Sequence, residues 1–315
     1  MKSGNESTDA NSPDLSVRIG SMVMPNPVTV ASGTFGYGEE YAKLFDVNKL
    51  GAVVVKGIRR EPMPGNPTPR TAEVTSGMLN AIGLQGPGLE GFIKKYWPFL
   101  QTLKVPAIIN IWGTSVEEYA EVARRFGELG GVGALELNVS CPNIKKGGAQ
   151  FGTDPKLLAE VVSACRKATS LPLITKMSPN VVSIATYAKA AEDAGSDALS
   201  IMNSYPAMGI DIETGKPKLA NVTGGLTGPC IKPIAIKLVW EASRAVKIPI
   251  IGMGGIQDAA DAIEFMMAGA SAVAVGTANF YEPQTSLQVI EGIREFMERK
   301  GISQLSQLIG SFQGG

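Results

Sequence analysis

The stretch LPLITKMSPNVVSIATYAKAAEDAGSDALSIM, residues 171–202, holds one complete strand–helix–strand repeat and decides the fold. A Pro opens its first apolar run, and the segment Gly195 to Ala198 leads into the second. Pro at a strand start lacks a donor where none is needed, and Gly suits the left-handed residue that follows a helix. Both runs, Leu173 to Lys176 and Ala198 to Met202, are continuous in apolarity, which is typical of parallel strands buried on both faces.

The same pattern recurs along the chain, with a longer helical pattern after each apolar run. The runs predicted as strands are Val28 to Ala31, Ala52 to Lys56, Ala107 to Ile111, Ala134 to Asn138, Leu173 to Lys176, Ala198 to Met202, Ile250 to Gly252 and Ala272 to Gly276. Eight strand–helix units close naturally into a barrel, so we predict an α/β fold of the (β/α)8 (TIM barrel) type. A doubly wound open sheet is the alternative.

One domain is expected over residues 15–315, because α/β barrels commonly use about 250 residues or more as a single unit. Residues 1–14 are polar and are predicted to form a flexible tail. The connections Gly57 to Pro106 and Asn203 to Gly228 are unusually long, so these loops over the C-terminal mouth are expected to carry site architecture. Helix starts are predicted at Ser115, at Thr153-Asp154-Pro155, at Pro229 (a helix to Val246) and at Asp258 (a helix to Ala268).

The composition argues against several classes of function. Lys plus Arg and Asp plus Glu number 29 each, so no net field attracts nucleic acid or an acidic membrane surface. The absence of a long apolar run and the presence of 3 cysteines predict a cytoplasmic protein without a membrane anchor. The chain has no His, so acid–base chemistry falls to Cys, Lys or a carboxylate, and no metal site is expected.

The C-terminal ends of nearly all predicted strands carry polar residues or glycines. They are Ser32, Lys56, Asn110 (just inside its strand), Asn138, Lys176, Asn203, Gly254 with Gly255, and Gly276 with Thr277. A barrel has its active site at the C-terminal ends of its strands, so these residues are expected to converge. The glycine turns after the last two strands are typical phosphate-binding positions. The alternative is that polar residues only mark strand ends, that the glycines form ordinary turns, and that the lysines extend to solvent.

The segment NVSCPN, residues 138–143, is the strongest local signal. A cysteine at a barrel mouth can abstract a proton where its surroundings favour the thiolate, so Cys141 is a candidate general base. Because the chain has no His, nucleophilic Cys–His catalysis is excluded. Cys165 and Cys230 lie on helical patterns and are predicted to be inert packing residues.

Four segments resemble the dihydroorotate dehydrogenases: NAIGLQ at 80–85, NVSCPN at 138–143, GGLTGPCIKP at 224–233 and GMGGI at 252–256. The resemblance extends over nearly the whole chain. Cys141 is similar to class 1 of the family, because class 2 has Ser there, and the first and third segments look more like class 1B than class 1A. The resemblance implies oxidation of dihydroorotate to orotate in pyrimidine (UMP) biosynthesis.

The family's cofactor and substrate contacts map onto this sequence, and they imply one FMN per chain. The FMN phosphate would rest on Gly254, Gly255, Gly276 and Thr277. The flavin ring would contact Ser32, Lys56, Gly57, Asn110, Asn138, Lys176, Met202 and Gly228. The substrate would be held by Lys56, Asn80, Ala81, Ile82, Gly83, Leu84, Asn138, Asn143, Asn203 and Ser204.

A mechanism and a partner are implied in the same way. Cys141 would remove a proton from C5 of dihydroorotate while hydride leaves C6 for flavin N5, and Lys176 would stabilise the charge on the reduced flavin. Class 1B enzymes pass electrons to NAD+ through a second subunit that carries FAD and a [2Fe-2S] cluster, and this chain has the motif of neither. A homodimer is expected, either by itself or within a heterotetramer with that subunit.

The sequence departs from the family in two places. Ser204-Tyr205-Pro206 stands where Thr followed by aliphatic residues is usual, and Gly86 stands where Asn is usual. Ser204 preserves the hydroxyl, so the activity is expected to be retained. Three alternatives stay open: a fumarate-dependent class 1A enzyme, a dihydropyrimidine dehydrogenase-type FMN subunit, and a non-catalytic flavin-binding subunit.

Overall fold

Strands and helices alternate along the computed structural model, which describes residues 12–139 and 151–314. The strands are β1 (Val17–Ile19), β2 (Met22–Met24), β3 (Val28–Val30), β4 (Val53–Ile58), β5 (Thr71–Val74), β6 (Gly77–Asn80), β7 (Ala107–Ile111), β8 (Val132–Asn138), β9 (Leu173–Lys176), β10 (Ala198–Ile201), β11 (Tyr205–Met208), β12 (Ile210–Asp211), β13 (Lys216–Pro217), β14 (Thr223–Thr227), β15 (Ile250–Met253) and β16 (Ala272–Val275). The α-helices are α1 (Gly88–Lys95), α2 (Trp97–Leu100), α3 (Val116–Gly127), α4 (Pro155–Ala168), α5 (Ile184–Asp193), α6 (Lys232–Ser243), α7 (Ala259–Met267) and α8 (Thr285–Lys300). None of these described helices is long and apolar enough to cross a membrane.

A parallel sheet of eight strands, in the order β3-β16-β15-β10-β9-β8-β7-β4, forms the centre of the fold. At the seam between its two edge strands, Gly51 N donates to Val28 O at 2.7 Å and Thr29 Oγ1 donates to Ala52 O at 2.8 Å. These bonds bring β3 beside β4, so the sheet is a nearly closed barrel. The predicted (β/α)8 barrel is confirmed, and the open-sheet alternative is wrong because the strand order never reverses.

The eight apolar runs of the sequence are the eight barrel strands. Strands β7 and β9 have the predicted bounds, β4 differs by one residue at its start and two at its end, and the others differ by one or two residues at one end. Three predicted helix starts are also confirmed, since Ser115, Asp154 and Asp258 each accept a backbone N–H as the N-cap of α3, α4 and α7. The stretch predicted as a helix from Pro229 begins as a 3-10 turn over Pro229–Ile231 and continues as α6, which ends at Ser243.

The buried hydroxyl at the barrel seam contributes to stability. Thr29 has no exposed surface, and Thr29→Val replaces its hydroxyl by a methyl group of similar size. The Ala52 carbonyl then loses this donor, so we expect urea unfolding to show a loss of about 1–3 kcal/mol in unfolding free energy. Thr214→Val, on an exposed turn, is the control and should change it by less than about 0.5 kcal/mol. Equal unfolding free energies of Thr29→Val and Thr214→Val would show that the Thr29 hydroxyl does not stabilise the seam.

A hairpin of β1 and β2 closes the end of the barrel opposite the mouth, and it was not predicted. Met24 Cε lies 2.9 Å from the position that a Cβ would take at Gly51, and Met22 Sδ lies 3.3 Å from that position at Gly133. Both glycines stand where barrel strands begin. Just before the hairpin, Asp14 pairs with Gln304. Residues 1–11 of the predicted tail lie outside the described residues.

The two long connections form a second, antiparallel sheet in the order β11-β14-β6-β5, which we call the mouth sheet. Residues 57–106 supply β5 and β6, and residues 203–228 supply β11 and β14. In its centre, Gly225 pairs with Asn80 on one side and with Pro206 on the other. The sequence indicated that these connections were unusual, but it did not predict that they join into one sheet.

Candidate functional site

A cavity lies between the mouth sheet and the C-terminal ends of the barrel strands, and every barrel strand contributes a predicted site residue to it. The predicted residues that line it are Ser32, Lys56, Gly57, Asn80, Ile82, Gly83, Leu84, Asn110, Asn138, Lys176, Met202, Asn203, Ser204, Gly228, Gly254, Gly255, Gly276 and Thr277. Cys141 and Asn143 lie outside the described residues. The strand-end residues therefore converge, as the position of barrel sites predicts.

Ala81 is the described member of the predicted set that does not line the cavity. Its side chain is 1% exposed and packs with Leu79 and Leu219 in a small core of the mouth sheet. Its backbone N–H donates to Arg70 O at 2.7 Å. Side chains alternate across a strand and its continuation, so Asn80 and Ile82 face the cavity while Ala81 faces away.

Lys176, the last residue of β9, brings a buried ammonium group to the cavity. Its Nζ donates to Ser32 Oγ at 3.3 Å and lies 3.7 Å from Glu136 Oε1. Glu136 also accepts hydrogen bonds from Asn110 Nδ2 at 2.5 Å and from Ser200 Oγ at 2.7 Å. Buried charges persist when they are paired and hydrogen-bonded, and here the carboxylate stands behind the ammonium, away from the cavity.

Three asparagines form a connected series of amides along the cavity. Asn138 Nδ2 donates to Asn110 Oδ1 at 3.4 Å, and Asn203 Nδ2 donates to Asn138 Oδ1 at 3.2 Å. The backbone N–H of Ser204 donates to Asn203 Oδ1 at 2.8 Å. Each amide offers both a donor and an acceptor, so this series suits a ligand with amide or imide edges.

Lys56, in β4, supplies a second cation to the cavity wall. Burial, followed by the nearby Arg70 guanidinium, lowers the pKa of Lys56 from its ordinary value of 10.5. The Arg70 guanidinium is held in place by Gln85 Oε1 at 2.7 Å and Pro64 O at 3.1 Å. Among the side chains of residues 12–139 and 151–314, no carboxylate pairs with Lys56. An anionic ligand would therefore stabilise the ammonium.

Glycines that follow β14 and β15 form another part of the cavity wall. The φ angles of Gly228, Gly254 and Gly255 are +102°, +128° and +82°, which side chains rarely allow. A Cβ at Gly255 would lie 2.9 Å from the carbonyl oxygen of Gly228. The backbone N–H groups of Gly255 and Thr277 donate to no group in the described part of the chain. Unpartnered backbone amides beside glycines are a typical binding place for a phosphate. We call this part of the cavity wall, formed by Gly228, Gly254, Gly255 and Thr277, the glycine cradle.

An ion-pair cluster fixes the glycine cradle from behind. Lys232 Nζ contacts Asp261 Oδ1 at 2.5 Å and Glu264 Oε1 at 3.0 Å. Asp261 Oδ2 also accepts the backbone N–H of Gln257 at 2.8 Å, just after the cradle. The cluster therefore joins the start of α6 to the turn that enters α7.

The two departures from the family pattern have clear positions. Tyr205 and Pro206 begin β11 and pair with Leu226 and Gly225 of β14. Strand β11 is an edge of the mouth sheet, where a Pro without an N–H is tolerated. Gly86 pairs with Met63 through backbone bonds in both directions. Both departures thus form backbone structure around the cavity.

Several lining residues were missed by the sequence reasoning, and so was Glu136. The additional lining residues are Ala31, Gly33, Thr34, Thr71, Met78, Thr227, Ile231, Met253, Ala274 and Phe280. Most are apolar or sit on the mouth sheet, so strand-end polarity could not indicate them. Glu136 did leave a signal, because it is the one acidic residue in the apolar run Ala134 to Asn138.

Comparison with known proteins gives one consistent family. A family model described as dihydroorotate dehydrogenase matches residues 14–297. A Pelobacter propionicus protein named dihydroorotate dehydrogenase B (NAD(+)), catalytic subunit, is 52% identical over 301 residues, which cover 96% of this chain and 99% of that protein. Proteins of the same name from Trichlorobacter lovleyi and Geobacter metallireducens are 53% and 52% identical, and again 96% of this chain and 99% of each protein are covered.

Proposed function

The chain belongs to the dihydroorotate dehydrogenase family, and on that basis we propose that it is a class 1B catalytic subunit. It oxidises (S)-dihydroorotate to orotate in pyrimidine biosynthesis, and its electrons pass to NAD+. The observation that carries the proposal is the convergence of Lys56, Lys176 and the glycine cradle on one cavity. Two cations and a phosphate-binding turn suit an anionic substrate beside a phosphate-bearing cofactor.

FMN is the proposed cofactor, with one molecule per chain. The residues fit it, because the glycine cradle has free amides for a phosphate and a Cβ at Gly255 would close the turn. The proposed ring contacts are Ser32, Lys56, Gly57, Asn110, Asn138, Lys176, Met202 and Gly228. When bound, FMN supplies a hydride acceptor, and the chain supplies orientation and electrostatics.

The substrate contacts follow from the chemistry of the side chains. Lys56 binds the carboxylate of dihydroorotate, because its ammonium has no carboxylate of the described chain to pair with. The amides of Asn80, Asn138 and Asn203 bind the amide and imide edges of the ring. The hydroxyl of Ser204, the loop from Ile82 to Leu84 and Asn143 complete the proposed set.

Cys141 is the proposed general base that removes the proton from C5. The sequence places it three residues after Asn138, which ends β8 at the cavity. The chain has no His to take that role. Lys176 is the second proposed catalytic residue, because its ammonium at the cavity stabilises negative charge that develops during hydride transfer.

A second subunit is proposed to carry the electrons onward. The relatives are named as catalytic subunits of NAD(+) enzymes, which supports a separate electron-transfer subunit. FAD and a [2Fe-2S] cluster on that subunit are proposed from the family resemblance alone. We propose a homodimer of this chain inside a heterotetramer with that partner. The same names favour this assignment over the fumarate-dependent, dihydropyrimidine and non-catalytic alternatives.

An anaerobic titration of the purified yellow protein with dihydroorotate tests the proposal. We expect the flavin absorbance to bleach, with no reoxidation by NAD+ or fumarate until the partner subunit is added. Bleaching followed by rapid reoxidation with fumarate would indicate class 1A instead. If dihydroorotate leaves the spectrum unchanged while dihydrouracil bleaches it, the assigned substrate is wrong.

The lowered pKa of Lys56 predicts how orotate binding depends on pH. Binding needs the ammonium, which is present below the pKa of Lys56 and is lost as pH rises through it. Since that pKa lies below 10.5 in the free protein, orotate affinity should fall with a midpoint below 10.5. Arg70→Gln removes the second cause of the lowering, so the midpoint should move upward.

Equilibrium titrations of flavin absorbance with orotate at a series of pH values measure this midpoint. The absorbance of free orotate in the same buffers corrects for the ligand's own ionisation. An orotate affinity that stays constant up to pH 10.5 would show that Lys56 does not bind the carboxylate.

A further inference from the structure

Glu136 is a buried carboxylate that the proposed reaction leaves without a role. It is 2% exposed, lies within β8 between Leu135 and Leu137, and does not line the cavity. A charge enclosed by apolar strands is costly unless it is paired, and replacing a buried ion pair by hydrophobic residues is often neutral or stabilising in proteins. Its position therefore calls for an explanation beyond packing.

The partners of Glu136 belong to the cavity. Its Oε1 accepts from Asn110 Nδ2 at 2.5 Å and lies 3.7 Å from Lys176 Nζ, and both of those residues line the cavity. Its Oε2 accepts from Ser200 Oγ at 2.7 Å, which fixes the second oxygen. The carboxylate is thus held by three side chains from β7, β9 and β10, and two of them reach the ligand position.

We propose that Glu136 is a positioning residue that aims Lys176 and Asn110 at the flavin and sets its reduction potential, an inference that rests on the proposed function. The Glu136 carboxylate balances the Lys176 ammonium, so the pair offers the flavin less positive charge than Lys176 alone would. Low-dielectric surroundings make such a buried charge act strongly on a neighbouring ring. Two-electron reduction adds negative charge to the ring, so the balance of this pair sets how readily the ring is reduced.

The charge balance predicts an order of potentials. Glu136→Gln leaves the ammonium unbalanced and should raise the two-electron potential. Lys176→Met leaves the carboxylate unbalanced and should lower it. The double variant removes both charges and should return close to the wild-type value. We expect each single change to alter the equilibrium constant for reduction at least tenfold, which is about 30 mV for a two-electron couple.

Glu136→Gln is a mild change in this environment. The amide oxygen can accept from Asn110, and the amide nitrogen can donate to Ser200, whose hydroxyl is able to turn and accept. Glu118→Gln is the matched control. Glu118 is also a buried carboxylate, 4% exposed, and its cation Arg59 at 2.9 Å does not line the cavity. This control should leave the flavin potential at the wild-type value.

The test uses FMN-loaded protein reduced slowly under anaerobic conditions by xanthine and xanthine oxidase with a reference dye, so no dihydroorotate is needed. The proposal is supported if the flavin potential is highest in Glu136→Gln, lowest in Lys176→Met, and intermediate in the wild type and the double variant. Glu136→Gln and wild-type potentials that agree within 10 mV would overturn it. If Glu136→Gln fails to fold, the double variant decides, because it must lie above Lys176→Met.

Failure of the proposal on Glu136 can be distinguished from failure of the proposed function. A protein that binds FMN but is not bleached by dihydroorotate refutes the proposed substrate and leaves the potentials interpretable. If wild type and Glu136→Gln are bleached at the same rate and have the same potential, the proposed function stands and the role of Glu136 is refuted. A merely structural Glu136 would lower the melting temperature without producing the predicted order.

Discussion

Cys141→Ala should yield a protein that keeps its FMN and binds orotate, yet dihydroorotate should reduce its flavin about 10²–10⁴-fold more slowly than in the wild type. Alanine removes the group proposed to take the C5 proton, and the chain has no His to replace it. The other contacts of the ligand, including Lys56 and the asparagine series, remain in place. Anaerobic stopped-flow mixing with dihydroorotate measures the rate of bleaching.

Cys230→Ser is the control for this experiment. Cys230 is an exposed thiol that does not line the cavity, so its loss should leave the bleaching rate unchanged. Wild-type bleaching in Cys141→Ala would show that another group takes the proton. Loss of orotate binding in the same variant would instead indicate that the change disturbs the site as a whole.

Gly255→Ala should weaken FMN binding about tenfold or more. A side chain at φ +82° is strained by about 1–3 kcal/mol, and the new Cβ would lie 2.9 Å from the Gly228 carbonyl oxygen. That oxygen belongs to the backbone, so the clash is relieved only if the turn at Gly228 or the turn at Gly255 moves. Moving either turn displaces the amides that are proposed to hold the phosphate.

Fluorescence titration of the apoprotein with FMN measures this effect. Gly130→Ala is the control, because Gly130 has an ordinary φ, is exposed and has open space around its Cβ position. If Gly255→Ala binds FMN as the wild type does and has an unchanged melting temperature, the phosphate does not rest on this turn.

The barrel could be predicted because its signals are local. Each strand is a short continuous apolar run, and Pro or Gly marks where it starts. Three of the predicted helix starts carry an N-cap side chain, at Ser115, Asp154 and Asp258, whose position in sequence is enough to identify it. The convergence of the strand ends then follows from the geometry of any barrel.

The mouth sheet could not be predicted because its pairing is set by contacts distant in sequence. Strand β14 pairs with β6 across roughly 150 residues of chain, and each strand alone has four or five residues with little apolar content. The pair Ser76-Gly77 was a usable turn signal in the sequence, and in the structure it joins two such segments with a positive φ at Ser76. For the same reason, the side of the loop that Ala81 faces was not apparent.

The seam between β3 and β4 has a consequence for the cofactor-free protein. Ser32 follows one edge strand and Lys56 lies on the other, so a ligand that touches both would tie the barrel across its weakest line. Local opening of such a sparsely bonded edge costs less than global unfolding, and a bound molecule suppresses it by mass action. The ligand then stabilises the barrel as well as taking part in the reaction. We expect amide hydrogens of β4 to exchange with solvent faster in the empty protein than in the protein whose cavity is filled.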